Sequence, residues 1–414
     1  MDPRYGKLAD VLCGFSTRLK KGENVLIDAH DVPEDFVIAL IRAARERGAT
    51  PMVNLHKARV GREMVKGGTK EQFKLAADHE LARMKKMQAY IAVRGSDNIF
   101  EGSDIPAAQA KLNGELMRPV LDHRVNKTKW VVLRWPTSSM AQQAKMSTEA
   151  FADFYFRVCT LDYSRMIPGM EALKQAMMAT DEVQITGPGT DLIVGLADGH
   201  EWHGGASTAK NGVTCNPNIP TEEVFTTPHA LKVEGHVSST KPLSHQGTLI
   251  DDIQVRFEGG RIVEAKASKG EAVLNKVLDT DEGARRLGEV ALVPHSSPIS
   301  ASGILFYNTL FDENASCHIA LGQCYSKCFV DGANLTPEQI AAQGAGERGA
   351  GGLVQGQGEQ AGQGGAEGGG QRLTVLGGAA GEVFPLHVVL GVFVGAIVGQ
   401  VFVQQAQLTN QQTT

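Results

Sequence analysis

Asn24-Val25-Leu26-Ile27-Asp28 and Pro51-Met52-Val53-Asn54-Leu55 are two short apolar runs separated by a helical stretch, and their reading decides the fold of the first half. Pro33-Glu34-Asp35 opens the intervening helix, because the first helical turn has no use for the N–H that proline lacks. The helix continues through Ile41-Arg42-Ala43-Ala44, and Gly48 stops it. Strand, helix and strand in that order form a βαβ unit. Ala89-Tyr90-Ile91-Ala92-Val93 and Trp130-Val131-Val132-Leu133 continue the pattern, with helical stretches between them. The expectation is an α/β N-terminal domain over residues 1–180, built on a mostly parallel sheet with helices on both faces. No GxGxxG follows the first strand, so a dinucleotide site has no support.

Past residue 181 the texture changes. Glu182-Val183-Gln184-Ile185-Thr186, Ala230-Leu231-Lys232-Val233-Glu234 and Ile253-Gln254-Val255-Arg256-Phe257 alternate between apolar and polar residues, and Gly-rich turns divide them. Gly259-Gly260 between Val255-Arg256-Phe257 and Arg261-Ile262-Val263 is a hairpin signal. Residues 181–343 are therefore expected to form an α+β domain rich in antiparallel strands. Residues 344–414 read as a low-complexity and apolar tail.

At 414 residues and 42% hydrophobic, the chain has material for two ordinary cores. A net charge of −5 with no basic run argues against nucleic-acid partners. Met1-Asp2-Pro3-Arg4-Tyr5-Gly6-Lys7 lacks the charged-then-apolar order of an export signal, so a cytoplasmic setting is expected. Cys317, Cys324 and Cys328 are grouped without the paired CxxC spacing of structural zinc, and read as reduced thiols.

Three residues of the second half point to chemistry: Glu223, Glu289 and His318. Carboxylate and imidazole are ligands that suit divalent metal. Glu289 precedes Val290-Ala291-Leu292-Val293 and His318 precedes Ile319-Ala320-Leu321, and a charge buried in such a setting is costly unless paired or metal-bound. Taken singly, each residue reads as an ordinary structural group, and the apolar setting only brings the metal-ligand reading level with that one. Three other patterns are weaker. His200 and His203 in Asp198-Gly199-His200-Glu201-Trp202-His203 follow a turn and read as surface hairpin histidines. His79-Glu80-Leu81-Ala82-Arg83 has arginine where a zinc-protease helix needs its second histidine. Gly187-Pro188-Gly189-Thr190-Asp191 leads into the strand-like Leu192-Ile193-Val194 and reads as a tight turn rather than a phosphate cradle.

Asn218-Ile219-Pro220-Thr221-Glu222-Glu223-Val224-Phe225, Leu287-Gly288-Glu289-Val290-Ala291-Leu292-Val293 and Leu310-Phe311-Asp312-Glu313-Asn314-Ala315-Ser316-Cys317-His318-Ile319-Ala320-Leu321-Gly322 resemble segments of the thermophilic-type metallo-aminopeptidases, the aminopeptidase T, aminopeptidase S and PepS group. Arg134-Trp135-Pro136-Thr137 and Met140-Ala141-Gln142 resemble the same family, and the likeness runs over roughly residues 1–343. It implies a cytoplasmic, dimeric exopeptidase that releases N-terminal residues from peptides with two divalent metal ions, of zinc, cobalt, manganese or magnesium. Carried over by motif, Glu223, Glu289 and His318 are metal ligands. For the proton that the leaving amine needs, Glu289 is the carboxylate expected to supply it, and Tyr325, which matches a tyrosine near the family's reaction centre, is expected to donate a hydrogen bond to the oxyanion. The other reading of Tyr325 is a packed core aromatic.

The resemblance also implies a further His-x-Asp pair, which this chain does not carry. After Asp331 there is no aspartate, and the one later histidine, His387, has Val389 two positions on. Gly351-Gly352-Leu353-Val354-Gln355-Gly356-Gln357-Gly358 through Gly368-Gly369-Gly370 is expected to be disordered. The apolar run from Val383 to Gly399 is interrupted by Pro385, His387 and recurrent glycines, where a membrane span needs about 20 apolar residues. Two other classes stay open, a non-catalytic scaffold or binding protein and a tail-anchored membrane protein. A break this sharp leads us to expect that the stretch from about Gly344 is read from a shifted frame or a misjoined gene. Translating the coding DNA in its other two frames is expected to yield an Asn/Ser segment with His-x-Asp. Finding it in neither frame would make the tail native.

Overall fold

The computed structural model describes residues 2–346 except 210, 246–247, 295, 323 and 333, and beyond residue 346 only four short strands, Arg372–Leu376, Leu390–Phe393, Val398–Val401 and Gln405–Gln407. The expectations for the low-complexity stretch and for most of the apolar run fall outside the described residues. Two compact units form. The first holds Met1–Arg165 with Gly205–Thr221, and the second holds Met166–Gly204 with the chain from Glu222 onward.

In the first unit, β1 (Asn24–His30), β2 (Thr50–His56), β3 (Ala89–Arg94) and β4 (Lys129–Arg134) form a sheet of order β2-β1-β3-β4 in which every pair is parallel. Five consecutive residues of β1 are buried, so both faces of the sheet are covered at its centre, whereas the edge strand β2 leaves Met52 and Leu55 exposed. On one face Leu26, Tyr90 and Ala92 pack with Met84 and Val120 of two helices, Lys70–Met84 and Ala107–Lys127. The βαβ helix spans Glu34–Glu46, and Gly48 follows it at φ 73°, a left-handed turn open to glycine at no steric cost. His79-Glu80-Leu81-Ala82-Arg83 lies within Lys70–Met84, where Glu80 and Arg83 pair one turn apart. The returning segment Gly205–Thr221 meets the sheet at β4, where the Val132 N–H donates to the Pro217 carbonyl over 2.8 Å.

The second unit contains two main sheets, whose strands between residues 182 and 322 pair antiparallel. In one, β5 (Glu182–Gly187), β6 (Thr190–Leu196), β9 (Pro228–Ser238), β10 (Gln254–Glu258) and β11 (Arg261–Lys266) lie in the order β11-β10-β9-β6-β5. In the other, β7 (His203–Gly204), β8 (Val224–Thr226), β12 (Leu287–Leu292) and β13 (Cys317–Gly322) lie in the order β13-β12-β8-β7. Val194, Val233, Phe257, Val290 and Ile319 join one buried cluster that spans both sheets. The Gly187–Gly189 stretch is the tight turn between β5 and β6, with Gly189 at φ 68°. Gly259-Gly260 closes the β10–β11 hairpin, with φ of 53° and 75°. Among the described residues no helix is long and apolar enough to cross a membrane.

Gly260 is fixed by space as well as by conformation, because a Cβ there would lie 1.8 Å from the Ala230 carbonyl oxygen. The positive φ alone costs an L-residue about 1 to 2 kcal/mol, and backbone crowding of this kind adds roughly 1 to 3 kcal/mol. Gly260→Ala is expected to lower the denaturant midpoint by the equivalent of about 2 to 5 kcal/mol. Gly259→Ala, with nothing within 4 Å of its Cβ, is expected to cost less.

Candidate metal centre

Glu289 stands mid-strand in β12, whose six residues are all buried, and His318 is the second residue of β13. Glu289 faces Ala320 and Ala291 faces His318, so the carboxylate and the imidazole are diagonal neighbours on one face of the ladder. Glu223 immediately precedes β8, which pairs with β12 through Val224 and Leu292. On the other side of β8, Gly204 pairs with Val224, and its Cβ would lie 2.2 Å from the Glu223 carbonyl oxygen. Only glycine lets that backbone approach, and the approach sets where Glu223 enters the sheet.

The result is a tight group. His318 Nε2 lies 3.1 Å from Glu289 Oε1 and 3.3 Å from Glu223 Oε2, and one ligand atom from each residue falls within 4.8 Å of the others. His318 is 1% exposed and Glu289 is 7% exposed, so water contributes little to offsetting their charge. His318 Nδ1 donates to the Ser316 carbonyl over 3.1 Å, which leaves Nε2 with its lone pair aimed at two carboxylate oxygens. That arrangement is repulsive unless a cation sits among the three atoms, either a proton on Nε2 or a metal ion. Glu223 Oε2 is buried and accepts no hydrogen bond. A hard-to-borderline divalent ion fits these donors.

The electrostatics agree. Burial alone would lower the His318 pKa, but the hydrogen bond to Glu289 and the charges of Glu223, Glu289 and Glu313 outweigh it and push it up to about 9. Burial holds Glu223 above the usual carboxylate range, with Glu289 adding to the shift and His318 opposing it. The Tyr325 ring is partly exposed and packs against Phe225 at 6.0 Å, with Lys327 Nζ 5.1 Å above it. Burial of the Tyr325 hydroxyl and the charges of Glu289, Glu313 and Glu223 raise its pKa well above the usual value, so it stays a proton donor.

Three features escaped the sequence reading. Glu313, in the turn before β13, is held well above its usual pKa by burial and then by Glu223, so it belongs electrostatically to the group. Its only sequence signal is the motif it shares with His318. Glu222 is 1% exposed, its carboxyl is raised to about 7 by burial, and its Oε1 lacks a partner. His203 is not a surface hairpin residue as expected. It opens β7 opposite Phe225, and burial, then Lys327, lowers its pKa to about 4. His200 is likewise half-buried, its Nδ1 against the Ala197 carbonyl. The Asp198-Gly199 turn was read correctly, but β8 draws the following residues into the sheet. All six cysteines are free thiols.

Parallel α/β and antiparallel units that carry a buried Glu-Glu-His group match a known class of protein, the metal-dependent peptidases. The chain belongs to the thermophilic metalloprotease (M29) family, whose profile matches residues 1–347. Aminopeptidase T of Thermus thermophilus is 38% identical over 346 residues, covering 78% of this chain and 85% of that protein. Aminopeptidase AmpS of Bacillus subtilis is 34% identical over 365 residues, covering 82% of this chain and 88% of its own length. The solved structure of wild-type AmpT from Thermus thermophilus superposes with a TM-score of 0.72 at 34% identity, covering 85% of this chain and 91% of that one. The chain is thus a peptidase enzyme whose family uses metal.

Because the His318 pKa in the fold exceeds the ordinary value of 6.5, the folded state binds the proton more tightly than the unfolded state. Its contribution is full below about pH 6.5 and is lost as pH rises through about 9. Chelator-treated protein is therefore expected to lose Tm relative to a His318→Gln variant between those limits, and added divalent metal is expected to abolish the loss. A Tm difference that stays flat or grows with pH would contradict the assignment.

Proposed function

We propose that Glu223, Glu289 and His318 hold divalent metal, of zinc, cobalt, manganese or magnesium, in a two-metal aminopeptidase site of which this chain encodes only part. The observation that carries this reading is the contact of His318 Nε2 with carboxylate oxygens of Glu289 and Glu223 at 3.1 and 3.3 Å, inside a buried sheet. When bound, two divalent ions would polarise the scissile carbonyl and lower the pKa of the attacking water.

The protein's own groups would do the rest. Ser316 fixes the His318 ring so that Nε2 faces the carboxylates. Glu289, hydrogen-bonded to His318, is placed to carry a proton to the leaving amine. The Tyr325 hydroxyl, kept protonated by its acidic neighbours, is suited to donate a hydrogen bond to the oxyanion. The concentration of carboxylates, Glu313 among them, favours the free α-amine that marks an N-terminus. The family resemblance further supports a cytoplasmic homodimer acting on peptides.

What limits the site is ligand supply. The sequence carries no His-x-Asp after His318, and the M29 profile ends its match at residue 347. With an imidazole and a carboxylate short, weak metal binding and slow turnover follow. In an aminoacyl p-nitroanilide assay with metal titration, turnover is expected below about a tenth of that of an intact relative. Turnover equal to the relative's would overturn the reading of an impaired site. Activity unchanged in Glu289→Gln would overturn the ligand assignment.

A further inference from the structure

A second group with metal-ligand chemistry lies in the first unit. Asp28, His30 and His56 each offer a ligand atom, and these atoms lie within 4.8 Å of one another. The register of the sheet puts them there. Asp28 and His30 are two apart on β1 and so share a face, and His30 pairs with His56 at the end of β2. All three sit toward the C-terminal ends of parallel strands. In the order β2-β1-β3-β4, β1 is where the chain turns from one side of the sheet to the other. Open parallel sheets bind ligands at such a switch point.

The surroundings are built to orient the carboxylate. Tyr90 Oη donates to Asp28 Oδ2 over 2.5 Å, and Arg94 Nη2 donates to the same oxygen over 2.7 Å. Arg94 also reaches the Tyr90 hydroxyl at 2.6 Å. These contacts engage Oδ2 and leave Oδ1 beside His56 Nε2 at 2.7 Å. His30 Nε2 lies 3.6 Å from Oδ2, and the two imidazoles stack with centroids 4.2 Å apart. Asp28 is 8% exposed, whereas the His30 and His56 side chains are 33% and 42% exposed, so the imidazoles form the accessible side of the group.

We propose that Asp28, His30 and His56 form a second metal site, taking one divalent ion of borderline softness such as zinc, cobalt or nickel. Two imidazoles and one carboxylate suit those ions, in contrast to the carboxylate-rich Glu223-Glu289-His318 group. Tyr90 and Arg94 act as the outer groups that fix the carboxylate's orientation. Arg94 weakens the site through its charge, which makes it a site of moderate affinity. Three protein ligands leave room for water or an external donor in the remaining positions.

The test uses the full chain with the other group silenced by Glu289→Gln and His318→Ala, titrated with Co(II) while d–d absorption is recorded. A single Co(II) equivalent with d–d bands is expected to remain. His30→Ala, His30→Gln or His56→Ala added to that background is expected to weaken uptake by at least about tenfold. Circular dichroism checks that each variant keeps its fold, and the Gln variant retains bulk at the position. Absence of any Co(II) equivalent in the silenced protein would overturn the proposal. So would uptake that persists unchanged in folded His30 and His56 variants.

Discussion

A buried imidazole whose lone pair faces two carboxylate oxygens is the constraint on which the second unit turns. Nδ1 is committed to the Ser316 carbonyl, so Nε2 needs either its own proton or a metal ion between it and the two carboxylates. Something positive must sit there. The strands that deliver these groups are correspondingly rigid: β12 is buried along its whole length, β13 along all but its last residue, and both belong to the central cluster. Side chains projecting from packed strands hold position better than loop residues would. The demand for a cation is thus imposed by the core itself.

Much of this was legible in the residues. The runs 24–28 and 89–93 became the central strands β1 and β3 because a continuous apolar strand must be covered on both faces, and that requirement selects a parallel sheet, with the runs 51–55 and 130–133 as its less buried edges β2 and β4. The Gly259-Gly260 hairpin was equally readable, since positive φ at both positions leaves few other residues possible. The trio was only half legible. Apolar neighbours marked Glu289 and His318 as buried, but nothing in spacing said that residues 223, 289 and 318 meet. Family likeness supplied that.

What stayed hidden depends on register and on tertiary pairing. Asp28, His30 and His56 meet because residue 30 of one strand lies opposite residue 56 of the next, and a shift of one residue would turn the set to the other face. His203 looked like part of a surface turn because its segment opens with Asp198-Gly199 punctuation. Its pairing with Phe225 is a contact between segments about twenty residues apart in the chain. Glu222 and Glu313 lie inside the family-like motifs, but nothing local marked them as members of the group, since burial by remote elements shifts their protonation.

The path of the chain between its two units carries a consequence of another kind. The backbone passes from one unit to the other after Arg165, after Gly204 and after Thr221. Neither unit is therefore a contiguous stretch of gene. A single proteolytic nick cannot release one intact, and recombination at one breakpoint cannot transplant one whole. Such threading ties the inheritance of the parallel sheet to that of the sheet that carries Glu289 and His318. The unit that holds Glu223, Glu289 and His318 can be expected to travel through evolution with its partner unit or not at all.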